Sequence, residues 1–344
     1  MKITKEREYL FDNLKGLLII FVVFGHLIED FSLRDVDGLA GTVYGLIYVF
    51  HMPLFVFISG YFSKNNNLKR ITELIFIYIF CQSIIYPLGL SLLTGTTYLD
   101  NLQSVFLPEF TYWYMLSLVT WRVITPYITT IKHNLFLSFI LGALFGLSLT
   151  KVDLSYMSIG RSISFYPFFL MGYKTHSDKI QQTRAKLGKN KGFLVMISIC
   201  VIALLLFEVL PVFTTKPTKV FKILYSKDHF DEYFTNPYIG VVFKAVLYAL
   251  QLTFIRASIA LVSNKKTILY RLSTASLLIY VTHGMLIRYY EKMIYPQLEV
   301  RSELKFLLIA FVLSTLYCFL LSVKPIKRIG NYILQLPAKI MISD

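Results

Sequence analysis

Charge is scarce in this chain of 344 residues: only 16% are Asp, Glu, Lys or Arg, while 56% are hydrophobic. Soluble domains carry about a quarter charged residues, so the shortage excludes an ordinary soluble fold and indicates an integral membrane protein. Cysteine is nearly absent. Cys81, Cys200 and Cys318 each sit in apolar segments with no CxxC or His-rich spacing, which excludes a disulfide framework or a metal site of that kind and leaves three buried small hydrophobes. Acidic residues are few, 20 against 35 Lys and Arg, giving a net charge of +15, yet no basic stripe is interleaved with aromatics and nucleic acid is not indicated as a partner. No internal repeat or low-complexity segment appears. The first apolar run, "KGLLIIFVVFGH", lacks a small-x-small site where it ends at Gly25-His26, so it reads as a retained span rather than a cleaved signal.

What the chain does have is long apolar runs. Crossing the hydrocarbon core takes about 20 such residues. Ten candidate spans follow, at roughly 13–30, 42–62, 71–94, 111–130, 134–150, 156–174, 193–212, 238–262, 272–290 and 304–323. The expected fold is all-α: a polytopic membrane protein of about ten transmembrane helices around a polar central cavity, one membrane-embedded domain over residues 1–344 with short tails and no appended soluble domain.

An even number of spans puts both termini on one side, and basic loops mark the cytoplasm. The set of faces holding Lys2, Lys5, Arg7, Lys15, Lys64, Lys69, Arg70, Arg122 and Lys132, the basic run from Lys174 to Lys191, Lys265, Lys266, Arg271 and the C-terminal cations has 22 of the 35 basic residues. The other set has 11, including Arg34, Lys151, Arg161, Lys216, Lys219, Lys222, Arg288 and Arg301. Both termini are therefore expected in the cytoplasm of a plasma membrane. The stretch "KTHSDKIQQTRAKLGKNKG" reads as the longest cytoplasmic connection, solvated against anionic headgroups. The longest outer loop, "PVFTTKPTKVFKILYSKDHFDEYFTNP", reads either as a cap over an outward-facing cleft or as an ordered connector.

Within the first span, Lys15 and His26 are eleven residues apart, close to three helical turns, so they share a face about 16 Å apart along the axis. Asp12 lies one turn before Lys15 on that stripe. A cation at the cytoplasmic mouth and an imidazole deeper in describe a shaft for a long molecule with an anionic head and a reactive tail, the shape of acetyl coenzyme A. In the second span His51 precedes Pro53, which cannot donate to the carbonyl one turn earlier. In the ninth, Ser273, Ser276, Tyr280 and His283 make one polar stripe that must face inward. Three mid-membrane histidines together with Arg161 in the sixth span imply a polar chamber.

The ordered segments "DNLKGLLIIFVVFGH", "FHMPLFVFISGYF", "YWYMLSL", "GRSISFYPFFLMGY" and "ASLLIYVTH" resemble the acyltransferase-3 family of integral-membrane acyltransferases, nearest to the fucose 4-O-acetylase-like and capsule or exopolysaccharide O-acetyltransferase branch. The family's basic residue, ten-residue gap and histidine fall on Lys15 and His26. Lys stands where many members carry Arg, which keeps the charge but loses the bidentate fork. The family's second-span histidine falls on His51, and its late Tyr and His on Tyr280 and His283.

The resemblance implies an O-acyltransferase of a bacterial plasma membrane, with acetyl-CoA as a substrate rather than a bound cofactor and a cell-surface polysaccharide or lipid-linked sugar as acceptor. His26 then either activates the hydroxyl as general base or briefly carries the acetyl group, with His51 and His283 as further catalytic candidates that either polarise the thioester carbonyl or position the acceptor. Lys15, oriented by Asp12, and Lys69 with Arg70 take the donor's phosphates. Arg161, Trp113, Tyr280 and Ser276 line the acceptor cavity, and no metal is called for. A transporter or flippase of a lipid-linked sugar is the alternative, since it too needs a polar core.

The charge map generates the first prediction. Single cysteines at Asp35, Thr96, Thr215 and Gln297 are expected to react with an impermeant thiol reagent from outside, and those at Asn66, His133, Thr183 and Asn264 only from the cytoplasm. One clear reversal breaks the ten-span map.

Overall fold

The computed structural model describes residues 9–34, 38–65, 67–147, 153–214, 222–295 and 302–342. The cations Lys2, Lys5, Arg7, Lys151, Lys216, Lys219 and Arg301 and the loop positions Asp35, Asn66, Thr215 and Gln297 lie outside these segments.

Each predicted span is helical. In chain order the helices are α1 (Leu10–Arg34), α2 (Leu39–Phe62), α3 (Leu68–Phe80), α4 (Tyr86–Thr94), α5 (Trp113–Ile128), α6 (Asn134–Leu144), α7 (Ile159–Lys174), α8 (Ser177–Val209), α9 (Lys222–Tyr225), α10 (Pro237–Leu261), α11 (Leu269–Ser273), α12 (Ser276–Tyr289), α13 (Glu303–Leu321) and α14 (Lys324–Met341). Apart from an isolated bridge between Thr214 and Phe234, no strand occurs among the described residues. The protein is an all-α, multi-pass membrane protein. Six helical stretches are long and apolar enough to cross a membrane on their own: Leu10–Leu33, Leu39–Phe62, Leu68–Thr94, Ser177–Val209, Pro237–Leu261 and Glu303–Leu321. The other four predicted spans contain shorter helices, α5, α6, α7 and the α11–α12 pair, and three of them carry the polar residues that singled them out in the sequence.

Three local features depart from the sequence reading. The stretch read as a solvated connection is the first part of α8, which runs on through a break at Gly188, whose φ of +62 suits only glycine. The span at 71–94 is interrupted by a π-helical turn, Cys81–Ile85. That turn carries the buried Gln82, whose amide donates to the carbonyls of Ser104 and Leu107 and whose oxygen accepts from the Glu109 amide, fixing the loop before α5. The third is α14, where a short tail was expected. Its apolar Ile329, Ile333 and Ile340 fall on one side and Arg328, Gln335 and Lys339 on the other, an amphipathic helix of the kind that lies in a membrane interface.

Helix α1 is central and packs against α2, α11, α12 and α13. Its first turns are tied down by side chains: Asn13, fully buried, donates to the carbonyls of Ser263 and Lys265 at 2.8 Å each and accepts from Thr267 at 2.7 Å. In α2, Pro53 leaves the Val49 carbonyl without its helical donor, and Gln251 of α10 supplies one at 2.9 Å. The periphery is apolar. Leu308, Phe311, Val312 and Leu316 of α13 are exposed, as a lipid-facing helix requires.

Helices α2 and α7 approach backbone to backbone. A Cβ at Gly60 would stand 2.0 Å from the Phe169 carbonyl oxygen, and one at Gly172 would stand 2.0 Å from that of Phe57. Such reciprocal glycines let membrane helices pack closely where no hydrophobic effect drives them together. Gly60→Ala or Gly172→Ala is expected to force the pair apart and destabilise the protein by about 1–3 kcal/mol or more, read as a lowered thermal midpoint in detergent. A wild-type midpoint for both would contradict the contact.

Candidate active site

Near the end of α1, His26 and Glu29 are one helical turn apart and therefore on one face. His26 Nδ1 lies 2.9 Å from Glu29 Oε2, with the two side chains only 14% and 17% exposed. Tyr48 of α2 joins them: its hydroxyl donates to Glu29 Oε2 at 3.1 Å and lies 2.8 Å from His26 Nδ1. The other carboxylate oxygen, Oε1, accepts from the Tyr225 hydroxyl at 2.9 Å, and Tyr225 also contacts the Tyr44 hydroxyl. Glu29 thus receives three hydrogen bonds, from two helices and from the outer segment at α9.

These contacts determine where the ring protons sit. An ionised carboxylate and a carbonyl only accept, so the nitrogen facing either must carry the proton. His26 faces Glu29 through Nδ1. His51 faces the Ile47 carbonyl through Nδ1 at 2.6 Å, and His283 faces the Tyr280 carbonyl through Nδ1 at 2.6 Å. Where such a ring is neutral, its Nε2 carries the lone pair. The His283 Nε2 is buried with no hydrogen-bond partner, and that ring lies 5.5 Å from the His26 ring, centroid to centroid.

His26 and Glu29 open into a cavity of about 500 Å³ whose walls include Tyr48, His51, Trp113, Arg161 and Arg288. Its rim comes from the loop that Gln82 organises, through Leu107, Pro108, Glu109 and Phe110, and from the outer segment, through Leu224, Tyr225, Lys227 and Asp228. The described part of the segment read from the sequence as the longest outer loop thus forms part of the cavity's rim. Arg161 lies with its guanidinium carbon 5.0 Å from the Trp113 ring centroid, and no carboxylate or carbonyl among the described residues takes a hydrogen bond from it. It shares the cavity wall with the carboxylates Glu29, Glu109 and Asp228 and the cations Lys227 and Arg288.

The structure separates the residues singled out from the sequence into three places. His26, His51, Trp113 and Arg161 line this cavity, with His283 directly behind His26. Tyr280 and Ser276 are not on its wall. The Tyr280 hydroxyl is bound to the Thr111 carbonyl, and Ser276 is buried at the start of α12. Lys69 and Arg70 lie at the other, basic end of the bundle and line a second cleft of about 500 Å³. Half-buried Lys15 stands between the two sites, with Asp12 and Arg122 as the charges acting on it, while Asp12 also accepts from Ser273 at 3.1 Å. Glu29, Tyr48 and Tyr225 were not found from sequence. For Glu29 the signal was present, an acid one turn after a mid-membrane histidine; for Tyr225, on a loop 196 residues away, none was. Among the described residues no group of three His, Cys, Asp or Glu is placed to hold a metal ion.

A base held by a carboxylate, beside a cavity that faces away from a basic cleft, is what acyl transfer requires. A family profile described as an acyltransferase domain matches residues 8–323. The chain belongs to the acyltransferase-3 family. Two curated relatives of this acyltransferase-3 chain are the nodulation protein NolL of Sinorhizobium fredii (strain NBRC 101917 / NGR234), 29% identical over 224 residues, and that of Mesorhizobium japonicum (strain LMG 29417 / CECT 9101 / MAFF 303099), 26% identical over 186 residues. The first alignment covers 59% of this chain and 58% of the relative, the second 49% and 48%. The chain thus spans about half the length of the curated relatives it matches. No solved structure matches it.

If Glu29 holds the His26 proton on Nδ1 and offsets the imidazolium that forms there, an amide replaces it poorly, because its carbonyl can still accept from Nδ1 but carries no charge. Glu29→Gln is expected to lower turnover by about two to four orders of magnitude. Tyr225→Phe, which removes one of three donors to Glu29, should cost far less. Measured acyl transfer by purified protein checks both, and a fully active Glu29→Gln protein would remove the pair from the chemistry.

Proposed function

We propose that the protein transfers an acetyl group from cytoplasmic acetyl-CoA to a hydroxyl of a cell-surface polysaccharide or lipid-linked sugar, in a bacterial plasma membrane with both termini cytoplasmic. The observation that carries this reading is the disposition along α1: a lysine near the basic end and, eleven residues on, a histidine whose base nitrogen is freed by Glu29 at the inner wall of the opposite cavity. A donor with phosphates at one end and a thioester at the other fits that span of about 16 Å.

In the proposed reaction the acceptor hydroxyl gives its proton to His26 Nε2 as its oxygen attacks the thioester carbonyl. The tetrahedral intermediate collapses as the C–S bond breaks, and the imidazolium returns the proton to the departing sulfur, giving the O-ester and the coenzyme thiol. Glu29 stabilises the imidazolium between the two steps, because its carboxylate is already aligned on Nδ1. Of the two roles open to His51 and His283, the tautomers favour one. A bare Nε2 cannot donate to a thioester carbonyl but can accept from a sugar hydroxyl, so His51, which lines the cavity, orients the acceptor, while His283, buried behind His26, supports that ring from within the bundle. Arg161, with its donors unspent, serves the developing oxyanion or the acceptor's oxygens, with Trp113 as the apolar wall against a sugar face. A carrier of lipid-linked sugar is the alternative reading, and the acyltransferase family match favours transfer over carriage.

The two ends of α1 should fail differently, since only interactions that strengthen in the transition state lower turnover when removed. Lys15→Ala is expected to weaken coenzyme A binding by about 1.5–3 kcal/mol, the worth of one charge-assisted contact, while Lys15→Arg retains substantial function. His26→Ala should cut turnover by about two to four orders of magnitude while coenzyme A still binds. These are read as acetyl transfer and coenzyme A affinity on purified variants, alongside the loss of one ester from the surface glycans of cells lacking the gene. A folded His26→Ala protein with near-normal turnover would end this mechanism.

A further inference from the structure

The second cleft, at the basic end, contains more than the two cations the sequence pointed to. Lys69, Arg70, Arg122 and Lys339 line it against a single carboxylate, Glu73, and its outer wall is α14, through Gln335, Ala338 and Lys339. At about 500 Å³ it has the size of a small-molecule site rather than a surface dimple.

The wall is built, not adventitious. Leu334 and Ala338 of α14 are buried against the bundle, and a Cβ at Gly330 would stand 2.6 Å from the Leu278 side chain, so the helix is seated closely on α3 and α12. The apolar Ile329, Ile333 and Ile340 remain exposed on the side away from the cleft. An amphipathic helix held in the interface by that apolar face turns its polar side, with Gln335 and Lys339, onto the cleft.

Arg122 connects the cleft to the first helix. Its Nε donates to Ser63 at 3.2 Å, and its charge acts on both Arg70 in the cleft and Lys15 on α1. Like charges so arranged repel one another, and an anion with several charges bound between Lys339, Arg70 and Arg122 would offset that repulsion.

We infer that this cleft seats the phosphate-bearing end of the acyl donor, with Arg122 as its floor and the C-terminal helix, through Lys339 and Gln335, as its outer wall. The inference rests on the coenzyme A reading above, and it makes α14 part of the donor site rather than a tail. The shared chemistry is a phosphoryl group, which a nucleotide or an anionic lipid headgroup can supply, and the nucleotide is the source the line of cations toward Lys15 favours.

The test uses the full chain in nanodiscs of phosphatidylcholine, with coenzyme A and adenosine 3′,5′-bisphosphate as probes. The bisphosphate is expected to displace coenzyme A. Lys339→Ala and Arg122→Gln should each weaken coenzyme A binding about 10- to 100-fold, Lys339→Arg should restore most of it, and Lys324→Ala, at the far end of the same helix, should change nothing. Thermal midpoints identify any variant that has merely unfolded, and Lys339, on an exposed face, is the decisive one. Wild-type affinity in both Lys339→Ala and Arg122→Gln, or coenzyme A that the bisphosphate fails to displace, overturns the inference while leaving the donor reading intact. Coenzyme A affinity that collapses when phosphatidylglycerol replaces phosphatidylcholine assigns the cleft to lipid headgroups and overturns it as well. A wild-type protein that binds no coenzyme A in either lipid ends the donor reading itself.

Discussion

An ionised carboxylate inside a membrane protein survives only where donors surround it, and Glu29 has three: His26, Tyr48 and Tyr225. The arrangement of the site depends on that requirement. Because Glu29 and His26 share one face of α1, the carboxylate must be met from α2 and from the outer loop, so α2 has to pack tightly and the loop has to fold down. The first is secured by the close α2–α7 contact at Gly60 and Gly172 and by Gln251, which takes the carbonyl that Pro53 leaves open. The second brings Tyr225 over the cavity and gives it a rim. Once Glu29 is satisfied, the His26 tautomer is set and its free nitrogen faces the cavity.

The same economy governs the basic end. Lys15 is half-buried and has Asp12 as its near countercharge, and Asp12 is itself held by Ser273. One helix thus carries an acid–base pair at each end of its polar stripe, in opposite senses. Near the start the acid lies beside the cation, which the proposal assigns to donor binding; near the end the histidine lines the cavity and the acid holds it. Polar groups on a span are costly unless each has such a partner, which is why the working residues come as pairs one turn apart.

What could be read from the sequence followed periodicity. Lys15, His26, His51 and His283 stand out because a cation or imidazole in an apolar run has few bland explanations, and their spacing on a helix is fixed. The partners that make them useful are a different matter. Glu29 was readable in principle, as an acid three residues beyond His26 and so on the same helix face. Tyr225 and Gln251 reach the site only through tertiary packing, and no local pattern announces them. Tyr280, which the stripe on α12 suggested for the cavity, instead spends its hydroxyl on the Thr111 carbonyl, because a stripe fixes the direction a residue faces and not how far the cavity extends. Helix α14 was overlooked because a search for long apolar runs is blind to amphipathic helices: its mixed composition averages out, although the alternation of Ile329, Ile333 and Ile340 with Arg328, Gln335 and Lys339 is plain at a helical period.

The two cavities sit at opposite ends of the bundle, and this division has a chemical logic. A thioester donor is charged at one end and reactive at the other, whereas a sugar acceptor is neutral at its hydroxyls and often tethered to something large. Admitting both through one mouth would bring the donor's phosphates close to the histidine pair, where their charge would favour a protonated imidazole and silence the base. On the proposed reading, entry from opposite sides would keep that charge about three helical turns away from His26, with only the thioester end approaching the base. In the proposed mechanism the polar stripe of α1 would act as a spacer whose length suits the donor, with Lys15 and Glu29 each serving its own end of the reaction.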